Sequence, residues 1–428
     1  MVTFILLLCF LGLLCLGLPI AFVLGVTALI MIGFFSPASL QMVPEVMYNS
    51  LDNYTLMALP FFVIAADFMV KGGTSRYLIN AAYCWVRHWW GGLAMVTVIS
   101  CTIFGAICGS SVATALAIGV VVIPAMIERG YPRDFALGVT SAAGTIGIMI
   151  PPSGPMILFG ILADESIPRL FMAGFLPGIM QATFYMIWIH FSAKRKKITK
   201  MPKASWSETL STTYKALPAF SMPVIILGGI YSGFVTVTEA AALGAVVAIF
   251  ISLVIYKEVK WGQLIGVGGG SILNAAMIMF IIGSAICFGN WLTEAGLPAM
   301  IVQWAKDMNL TAFWFLLMIN IALLILGCFL EVASIMLITL PIILPVLRAL
   351  GIDLVHFGIV MTLNMEIALI TPPVGLNLYV ISAVGRASLA ETVRGVTPFI
   401  FITIVQLALI TYWPAYTLFL PNLIMGAR

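Results

Sequence analysis

A long apolar segment of the chain is interrupted by the sequence Gly147-Ile148-Met149-Ile150-Pro151-Pro152-Ser153-Gly154. Proline lacks an amide donor and clashes with the preceding helical turn, so two consecutive prolines break a helix and free the carbonyl oxygens upstream. Unpaired carbonyls at the depth of a bilayer are tolerated only against protein, water or an ion. The stretch therefore predicts a membrane helix that is broken at a functional position.

The interruption has a second copy in the sequence Leu369-Ile370-Thr371-Pro372-Pro373-Val374-Gly375. Proline and glycine positions recur at a constant offset of 221 residues, since Pro124, Gly130, Pro151, Pro152 and Gly154 match Pro345, Gly351, Pro372, Pro373 and Gly375. At an offset of 220 residues, Cys108, Val112 and Ala113 match Cys328, Val332 and Ala333. The two copies predict an internal repeat of the kind found in secondary transporters.

A re-entrant hairpin is predicted upstream of each break. In the first copy, arms at 91–107 and 112–128 flank a tip at Cys108-Gly109-Ser110-Ser111. In the second copy, the tip is Cys328-Phe329-Leu330-Glu331. A tip that faces a broken helix offers oxygen ligands to a hard cation and helix N-termini to an anion. A proline kink in a structural helix is the alternative, and the matched pair of constellations favours an ion site.

The amino-acid composition indicates which class of protein contains these segments. Of the 428 residues, 62% are hydrophobic and 8% are charged, against about 25% charged residues in an ordinary soluble domain. This excludes a soluble enzyme, a nucleic-acid binder and a disordered chain. The apolar runs are continuous, without the short alternating segments of a membrane β-barrel. The fold class is therefore an all-α polytopic membrane protein with two hairpins and two Pro-Pro-broken helices.

Twelve regions of the sequence account for the membrane part, at about 20 apolar residues for each crossing. The continuous spans are expected at 2–16, 17–35, 54–70, 170–192, 216–234, 239–256, 264–288 and 397–420. The broken or re-entrant regions are expected at 91–128, 134–163, 311–347 and 354–384.

The basic residues predict the orientation of the chain. They crowd the segment 194–215, which is therefore expected to be a cytoplasmic loop. Working outward, the loop 36–53 and the pair Asp164-Glu165 fall outside, and Arg386 falls inside. These assignments are consistent with the number of membrane crossings only if 91–128 and 311–347 are re-entrant hairpins that return to the side they entered. The first hairpin then opens to the cytoplasm and the second to the outside. The repeat is therefore expected to be inverted.

The predicted organisation has six parts. They are 1–90, N-terminal scaffold helices; 91–163, the first half of a transport domain; 164–290, scaffold and connecting helices with the basic loop; 291–310, a connector; 311–384, the second half of the transport domain; and 385–428, a C-terminal helix.

Four acidic residues lie in or beside the apolar spans. Glu331 and Glu366 are in apolar segments, where ionisable groups are costly and usually functional. Glu239 is expected to form a capping box with Thr236. Asp67 is expected near the cytoplasmic end of its span, where it would be solvated.

Several function classes have no support in the sequence. There is no P-loop and no clustered His and Glu motif, so direct use of ATP and intramembrane proteolysis are not indicated. We expect no enzyme activity and no organic cofactor. An ion gradient is then the plausible energy source. A stand-alone ion-coupled anion transporter or antiporter is an alternative, and a passive channel or an intramembrane enzyme is a weaker one.

The motifs resemble those of the large membrane subunit of TRAP (tripartite ATP-independent periplasmic) transporters. The resemblance rests on Ile150-Pro151-Pro152-Ser153, on the segment 364–377 around the second break, on Tyr54-Thr55-Leu56-Met57-Ala58-Leu59-Pro60-Phe61-Phe62 and on Thr236-Val237-Thr238-Glu239-Ala240-Ala241-Ala242. It covers the whole chain. It implies an elevator-type importer of organic anions in the bacterial inner membrane, coupled to sodium. The implied partners are a small membrane subunit, expected as a separate chain, and a soluble periplasmic binding protein.

The resemblance also implies site residues, carried over by position. One sodium site would use Cys108, Ser110, Gly147, Ile150 and Pro151, and the other would use Gly327, Glu331, Ile370 and Thr371. The substrate would lie near Ser110, Ser111, Thr114, Ser153 and Asn290. Sialic acid carriers of the family place an arginine after the turn Phe288-Gly289-Asn290 and an aspartate where Thr114 stands. This chain has neither residue, which argues against sialic acid, and its overall pattern is closer to the C4-dicarboxylate branch.

Overall fold

The computed structural model describes residues 2–36 and 39–426, and its regular structure is helical throughout these ranges. The five positions outside them belong to the predicted segments 1–90 and 385–428. The first ten helices are α1 Val2–Cys15, α2 Ile20–Phe35, α3 Met42–Leu51, α4 Ala58–Lys71, α5 Thr74–Val86, α6 Gly92–Cys108, α7 Ser111–Glu128, α8 Arg133–Met149, α9 Gly154–Ala163 and α10 Ile167–Arg195. The second ten are α11 Trp206–Tyr231, α12 Val237–Phe250, α13 Leu264–Glu294, α14 Leu297–Asp307, α15 Ala312–Gly327, α16 Val332–Ala349, α17 Leu354–Leu369, α18 Leu376–Gly385, α19 Leu389–Thr411 and α20 Pro414–Met425.

Within the described ranges, nine helical segments are long and apolar enough to cross a membrane. Six shorter apolar helices accompany them, among them α6, α15, α17 and α18. The predicted all-α polytopic fold class is confirmed.

The order of the helices repeats. The five helices α6 to α10 have 17, 18, 17, 10 and 29 residues. The five helices α15 to α19 have 16, 18, 16, 10 and 23 residues in the same order. The matched prolines and glycines therefore lie at equivalent places in the two copies. Pro124 and Pro345 are inside α7 and α16, and the other matched residues lie between helices or at the start of one. The inversion of one copy across the membrane stays a prediction.

The tips and the second break lie where the sequence places them, to within one residue, and the first break begins three residues after its predicted start at Gly147. The first tip separates α6 from α7 at Gly109 and Ser110, and the second separates α15 from α16 at 328–331. The first break separates α8 from α9 at 150–153, and the second separates α17 from α18 at 370–375. The Pro151-Pro152 and Pro372-Pro373 bonds are both cis.

The two copies interlock instead of standing side by side. The short helix α9 of the first copy packs against α16 and α17 of the second, and α18 of the second packs against α7 and α8 of the first. The helix after each copy also crosses over, because α19 packs on α8 and α10 packs on α17. The two tips and the two breaks therefore belong to one packed unit, which consists of α6–α9 and α15–α18.

The remaining helices surround this unit. The 31-residue helix α13 packs against α2, α3, α4 and α16, while α12 packs on α4 and α11 on α5. The predicted capping box at the start of α12 is confirmed. Thr236 N donates to Glu239 Oε2 over 2.8 Å, and Glu239 N donates to Thr236 Oγ1 over 3.3 Å.

Four predictions about where loops, turns and helices lie along the chain are wrong. The loop 36–53 contains the helix α3, and the Phe288-Gly289-Asn290 turn is helical because α13 continues to Glu294. The basic loop is confined to 196–205, because α10 and α11 extend into its expected ends. The C-terminal helix is two helices, α19 and α20, which meet before Pro414. The criterion of 20 apolar residues misses short amphipathic helices and truncates long ones with polar ends.

Candidate functional site

The first hairpin tip lies directly on the first break. Gly154 N donates a hydrogen bond to Gly109 O over 3.4 Å. Gly109 has a positive φ of 62°, and a Cβ at this position would lie 2.6 Å from Pro152 O. A side chain would therefore separate the tip from the break, and glycine is required by both the backbone conformation and the close approach.

The second tip contacts the second break in the same way. Val374 N donates to Cys328 O over 3.1 Å, and these two residues match Gly154 and Gly109 to within one position of the repeat. Each hairpin is thus held to the broken helix of its own copy by a backbone hydrogen bond. The contact joins an amide just after the two prolines to a carbonyl at the tip. The donor is the second residue after the prolines in the first copy and the first residue after them in the second copy.

The first arm of each hairpin also approaches its broken helix closely. A Cβ added at Gly105 of α6 would lie 2.5 Å from Gly147 Cα of α8. In the second copy, a Cβ added at Gly327 of α15 would overlap the Ala368 Cβ of α17. The small residues let the backbones meet just before the break, so Gly147 and Gly327, both predicted to hold sodium, lie in these contacts.

Three hydroxyl side chains of the first tip have different environments. Ser110 caps α7, because its Oγ accepts from Ala113 N over 3.4 Å. Ser111 is buried and its Oγ accepts from Asn377 Nδ2 over 2.7 Å. Thr114 is fully buried beside Gly147, and its hydroxyl has no partner of ordinary hydrogen-bond geometry within the described chain.

Ser153 belongs to the break itself. Its hydroxyl donates to Ile148 O over 2.5 Å and so satisfies one of the carbonyls that the prolines release. Ser153 is fully buried, as are Ile150, Pro151 and Pro152 around it. Four of the five predicted substrate residues therefore meet where the first tip contacts the first break.

Asn290 is the fifth predicted substrate residue and lies elsewhere. It is exposed on α13, and its neighbour Gly289 packs against Pro341 of α16. The structure thus places Asn290 beside the second hairpin.

Asn377 joins the two copies at the candidate site, and the sequence reasoning did not single it out. It follows the second break in the first turn of α18, is fully buried, and donates to Ser111 Oγ and, over 3.2 Å, to Ser141 O. Its Oδ1 has no hydrogen-bond partner within the described residues. Asn377 could have been predicted from the sequence as a polar residue just after a Pro-Pro break.

The second break is more open than the first. Pro372 and Pro373 are exposed, as is Glu331 at the start of α16. Thr371 Oγ1 donates to Ile367 O over 2.6 Å, and Glu331 Oε1 accepts from Ser334 Oγ over 3.2 Å. The predicted second set of ligands therefore combines an exposed Glu331 and a half-buried Thr371 with two buried residues, Gly327 and Ile370.

Glu366, on α17, is fully buried. Its Oε2 accepts from Thr145 Oγ1 over 3.2 Å and from Gln181 Nε2, and Gln181 also donates to Tyr185 Oη over 3.1 Å. Tyr185 Oη in turn lies 2.6 Å from Thr403 Oγ1. The carboxyl thus belongs to a buried polar network that joins α8, α10, α17 and α19.

Comparisons with known proteins show which proteins this chain is similar to. The family model for the DctM component of the tripartite ATP-independent periplasmic transporter matches residues 7–416. The C4-dicarboxylate TRAP transporter large permease protein DctM of Pseudomonas aeruginosa is 43% identical over 399 residues, covering 93% of both chains. Its namesake in Rhodobacter capsulatus is 37% identical and covers 95% of this chain and 96% of its own.

Two further matches concern chain length and fold. The isethionate TRAP transporter permease protein DctMQ of Oleidesulfovibrio alaskensis is 38% identical over 94% of this chain and 64% of its own length. The crystal structure of the Alcanivorax borkumensis YdaH transporter has a TM-score of 0.64 over 88% of both chains at 12% identity, which shows a similar fold.

These matches confirm the family that the motifs resemble, and with it a multi-pass protein of the bacterial inner membrane that is a transporter and no enzyme. The chain belongs to the large permease family of the tripartite ATP-independent periplasmic transporters, which import organic acids with a binding protein.

Proposed function

We propose that this permease imports a small organic anion, a C4-dicarboxylate or a related carboxylate, in symport with sodium. The observation that carries the proposal is the matched docking of each hairpin tip on its own Pro-Pro break, through Gly154 N to Gly109 O and Val374 N to Cys328 O. Broken helices at membrane depth supply both free carbonyls and helix ends, which are the elements of ion and substrate sites in secondary transporters.

Sodium is proposed to bind beside each tip. The first set of ligands is Cys108, Ser110, Gly147, Ile150 and Pro151, and the second is Gly327, Glu331, Ile370 and Thr371. The close backbone approaches at Gly105–Gly147 and Gly327–Ala368 support these sets, because they bring tip and break oxygens to the same place. A hard cation prefers such oxygen ligands.

The substrate is proposed to lie near Ser110, Ser111, Thr114 and Ser153, with Asn377 as a further polar group and Asn290 as a contribution from α13. None of these side chains carries a positive charge. The anion would therefore be balanced by sodium and by the N-termini of α7, α9 and α18, whose free amides favour negative charge. This is how a carboxylate can be bound without a fixed arginine.

The transport movement is proposed to be of the elevator type. The interlocked unit of α6–α9 and α15–α18 would move against the surrounding helices. Two contacts support the inverted parity of the repeat: α8 begins beside the end of α18, and α16 ends beside the end of α9. The predicted topology assigns the first pair of ends to the cytoplasm and the second pair to the outside.

A small membrane subunit is proposed as the membrane partner of this permease. This chain covers 93% of the Pseudomonas relative named as a large permease, but 64% of the relative named DctMQ. A soluble periplasmic binding protein would deliver the substrate. A stand-alone ion-coupled transporter is the second candidate, and uptake without any binding protein would favour it.

Two serines test the proposed site. Ser110→Ala combined with Ser153→Ala removes the α7 cap and returns an unpaired carbonyl to the first break, so uptake and its sodium dependence should both fall. Uptake of a panel of organic acids into proteoliposomes measures the effect. If both stay at the wild-type level in the double variant, the proposed site is wrong.

A further inference from the structure

The short helices after the two breaks end in the same way. The last residues of α9 and α18 are Ala163 and Gly385, which are 222 positions apart in the chain. Each is followed by a residue with a positive φ, Asp164 at 57° and Arg386 at 49°. The chain therefore leaves both helices by the same left-handed turn, and the last carbonyls point out of the helix without an intrahelical partner.

An arginine of the opposite copy binds each of these helix ends. Arg348 Nη2, on α16 of the second copy, donates to Ala163 O of the first over 3.1 Å. Arg133 Nη2, on α8 of the first copy, donates to Gly385 O and Arg386 O of the second over 2.7 and 2.5 Å. Arg133 also lies 3.9 Å from Glu391.

The two arginines do not occupy matched positions. With the offset of 221 residues, Arg133 corresponds to Leu354 and Arg348 to Ile127. The internal repeat alone therefore does not explain why both copies have such a contact. The same helix end is bound in both copies from different positions in the sequence, one near the start of a helix and one near the end.

The contact has a clear electrostatic role. A helix C-terminus carries a partial negative charge, and a cation there stabilises the helix and holds its end. The opposite ends of α9 and α18 begin at the two breaks, at Gly154 and Leu376. Ten residues place them about 15 Å away from the bound arginine.

We propose that Arg133 and Arg348 are positioning residues, each of which fixes the half-helix of the other copy so that its N-terminus stays in place at the tip and break. Arg348 positions α9 at the first tip, and Arg133 positions α18 with Asn377 beside Ser111. Because each contact crosses from one copy to the other, the pair also makes the two copies move as one body. This inference rests on the proposed function for its effect on transport.

Hydrogen–deuterium exchange tests the positioning directly and needs no transport activity. The full chain is purified with the small permease in nanodiscs as wild type, Arg133→Gln and Arg348→Gln. Arg348→Gln should speed amide exchange in 154–166 and leave 376–388 unchanged, and Arg133→Gln should do the reverse. Unchanged exchange in both segments, or equal acceleration of both by either variant, would overturn the proposal.

Transport kinetics provide the second arm. Both side chains are exposed, so a modest effect is expected. Each Gln variant should raise the substrate KM or the sodium concentration for half-saturation about two- to fivefold. Arg→Lys at either position should restore most of the affinity, because the charge at the helix end remains.

Matched controls lie at the surface nearby. The exposed residues Arg394 and Lys306 are replaced by Gln, and neither replacement should change KM. A lower maximal rate in Arg133→Gln and Arg348→Gln with unchanged KM and sodium half-saturation would indicate a merely structural role and would contradict the proposal. If wild-type uptake itself is independent of sodium, the proposed function fails, while the exchange measurement still decides on the arginines.

Discussion

Thr145 and Glu366 occupy matched positions of the two copies, 221 residues apart, and are hydrogen-bonded to each other with 3.2 Å between Thr145 Oγ1 and Glu366 Oε2. Both are fully buried. The contact therefore lies where the broken helices of the two copies, α8 and α17, cross. A polar pair at this point ties one half of the repeat to the other.

Removal of this pair should destabilise the protein. Glu366→Leu leaves the Thr145 hydroxyl and the Gln181 amide without their shared acceptor, which should lower the free energy of unfolding by about 1–3 kcal/mol. Thr145→Val should cost about 0.5–1.5 kcal/mol. Unfolding of the purified protein in detergent measures both values.

The double variant is the internal control for this prediction. Because the two side chains contact each other, their effects should be non-additive by about 0.5 kcal/mol or more. Glu366→Gln keeps an oxygen acceptor and should be the mildest change. If the losses of unfolding free energy in Thr145→Val and Glu366→Leu simply add in the double variant, the contact between the two side chains does not contribute to stability.

The sequence predicts the tips and breaks well and the contacts between the copies poorly. The breaks follow from local chemistry, since each Pro-Pro pair removes two amide donors and clashes with the preceding helical turn. The bonds from Asn377 to Ser111 and from Thr145 to Glu366 join residues 266 and 221 positions apart. No local signal specifies such partners, because they depend on how the two copies interlock.

Three helices were not predicted from the sequence, and they escaped prediction for the same reason. The helices α3, α5 and α14 have 10, 13 and 11 residues and mix polar with apolar positions. Such helices are too short and too polar for the length criterion of a membrane span. The same criterion located the long helices α11 and α13 but placed their ends wrongly.

Close packing at Gly147 should not tolerate a methyl group. In Gly105→Ala the added Cβ would lie 2.5 Å from Gly147 Cα, so the hairpin arm must move away from the broken helix. We expect a destabilisation of about 1–3 kcal/mol and a loss of sodium affinity in uptake assays. Gly228→Ala is the matched control, because an added Cβ there meets nothing within 4 Å. Equal behaviour of the two variants would refute the role of the close approach.

The bond between Asn377 and Ser111 should matter for affinity. Asn377→Ala and Ser111→Ala each remove one partner of the 2.7 Å hydrogen bond between the second break and the first tip. Each should raise the substrate KM about two- to tenfold, the effect of one neutral hydrogen bond. Uptake at a range of substrate concentrations measures the change, and the double variant should be little worse than either single one. If the increases in KM of the two single variants multiply in the double variant, the two side chains act independently.

Cysteine labelling tests the inverted topology. In a background without the seven native cysteines, Glu165→Cys should react with an impermeant maleimide added to the outside of spheroplasts. Ala390→Cys should react only in inside-out vesicles. Labelling of both positions from the same side would contradict the assignment of the two hairpins to opposite faces.

The most direct test of the central claim is uptake of a C4-dicarboxylate into proteoliposomes that contain this chain with its small permease. Uptake is measured with and without an inward sodium gradient, and with and without the cognate binding protein. We expect accumulation only when both the gradient and the binding protein are present. Accumulation that is equal without sodium, or equal without the binding protein, would contradict it.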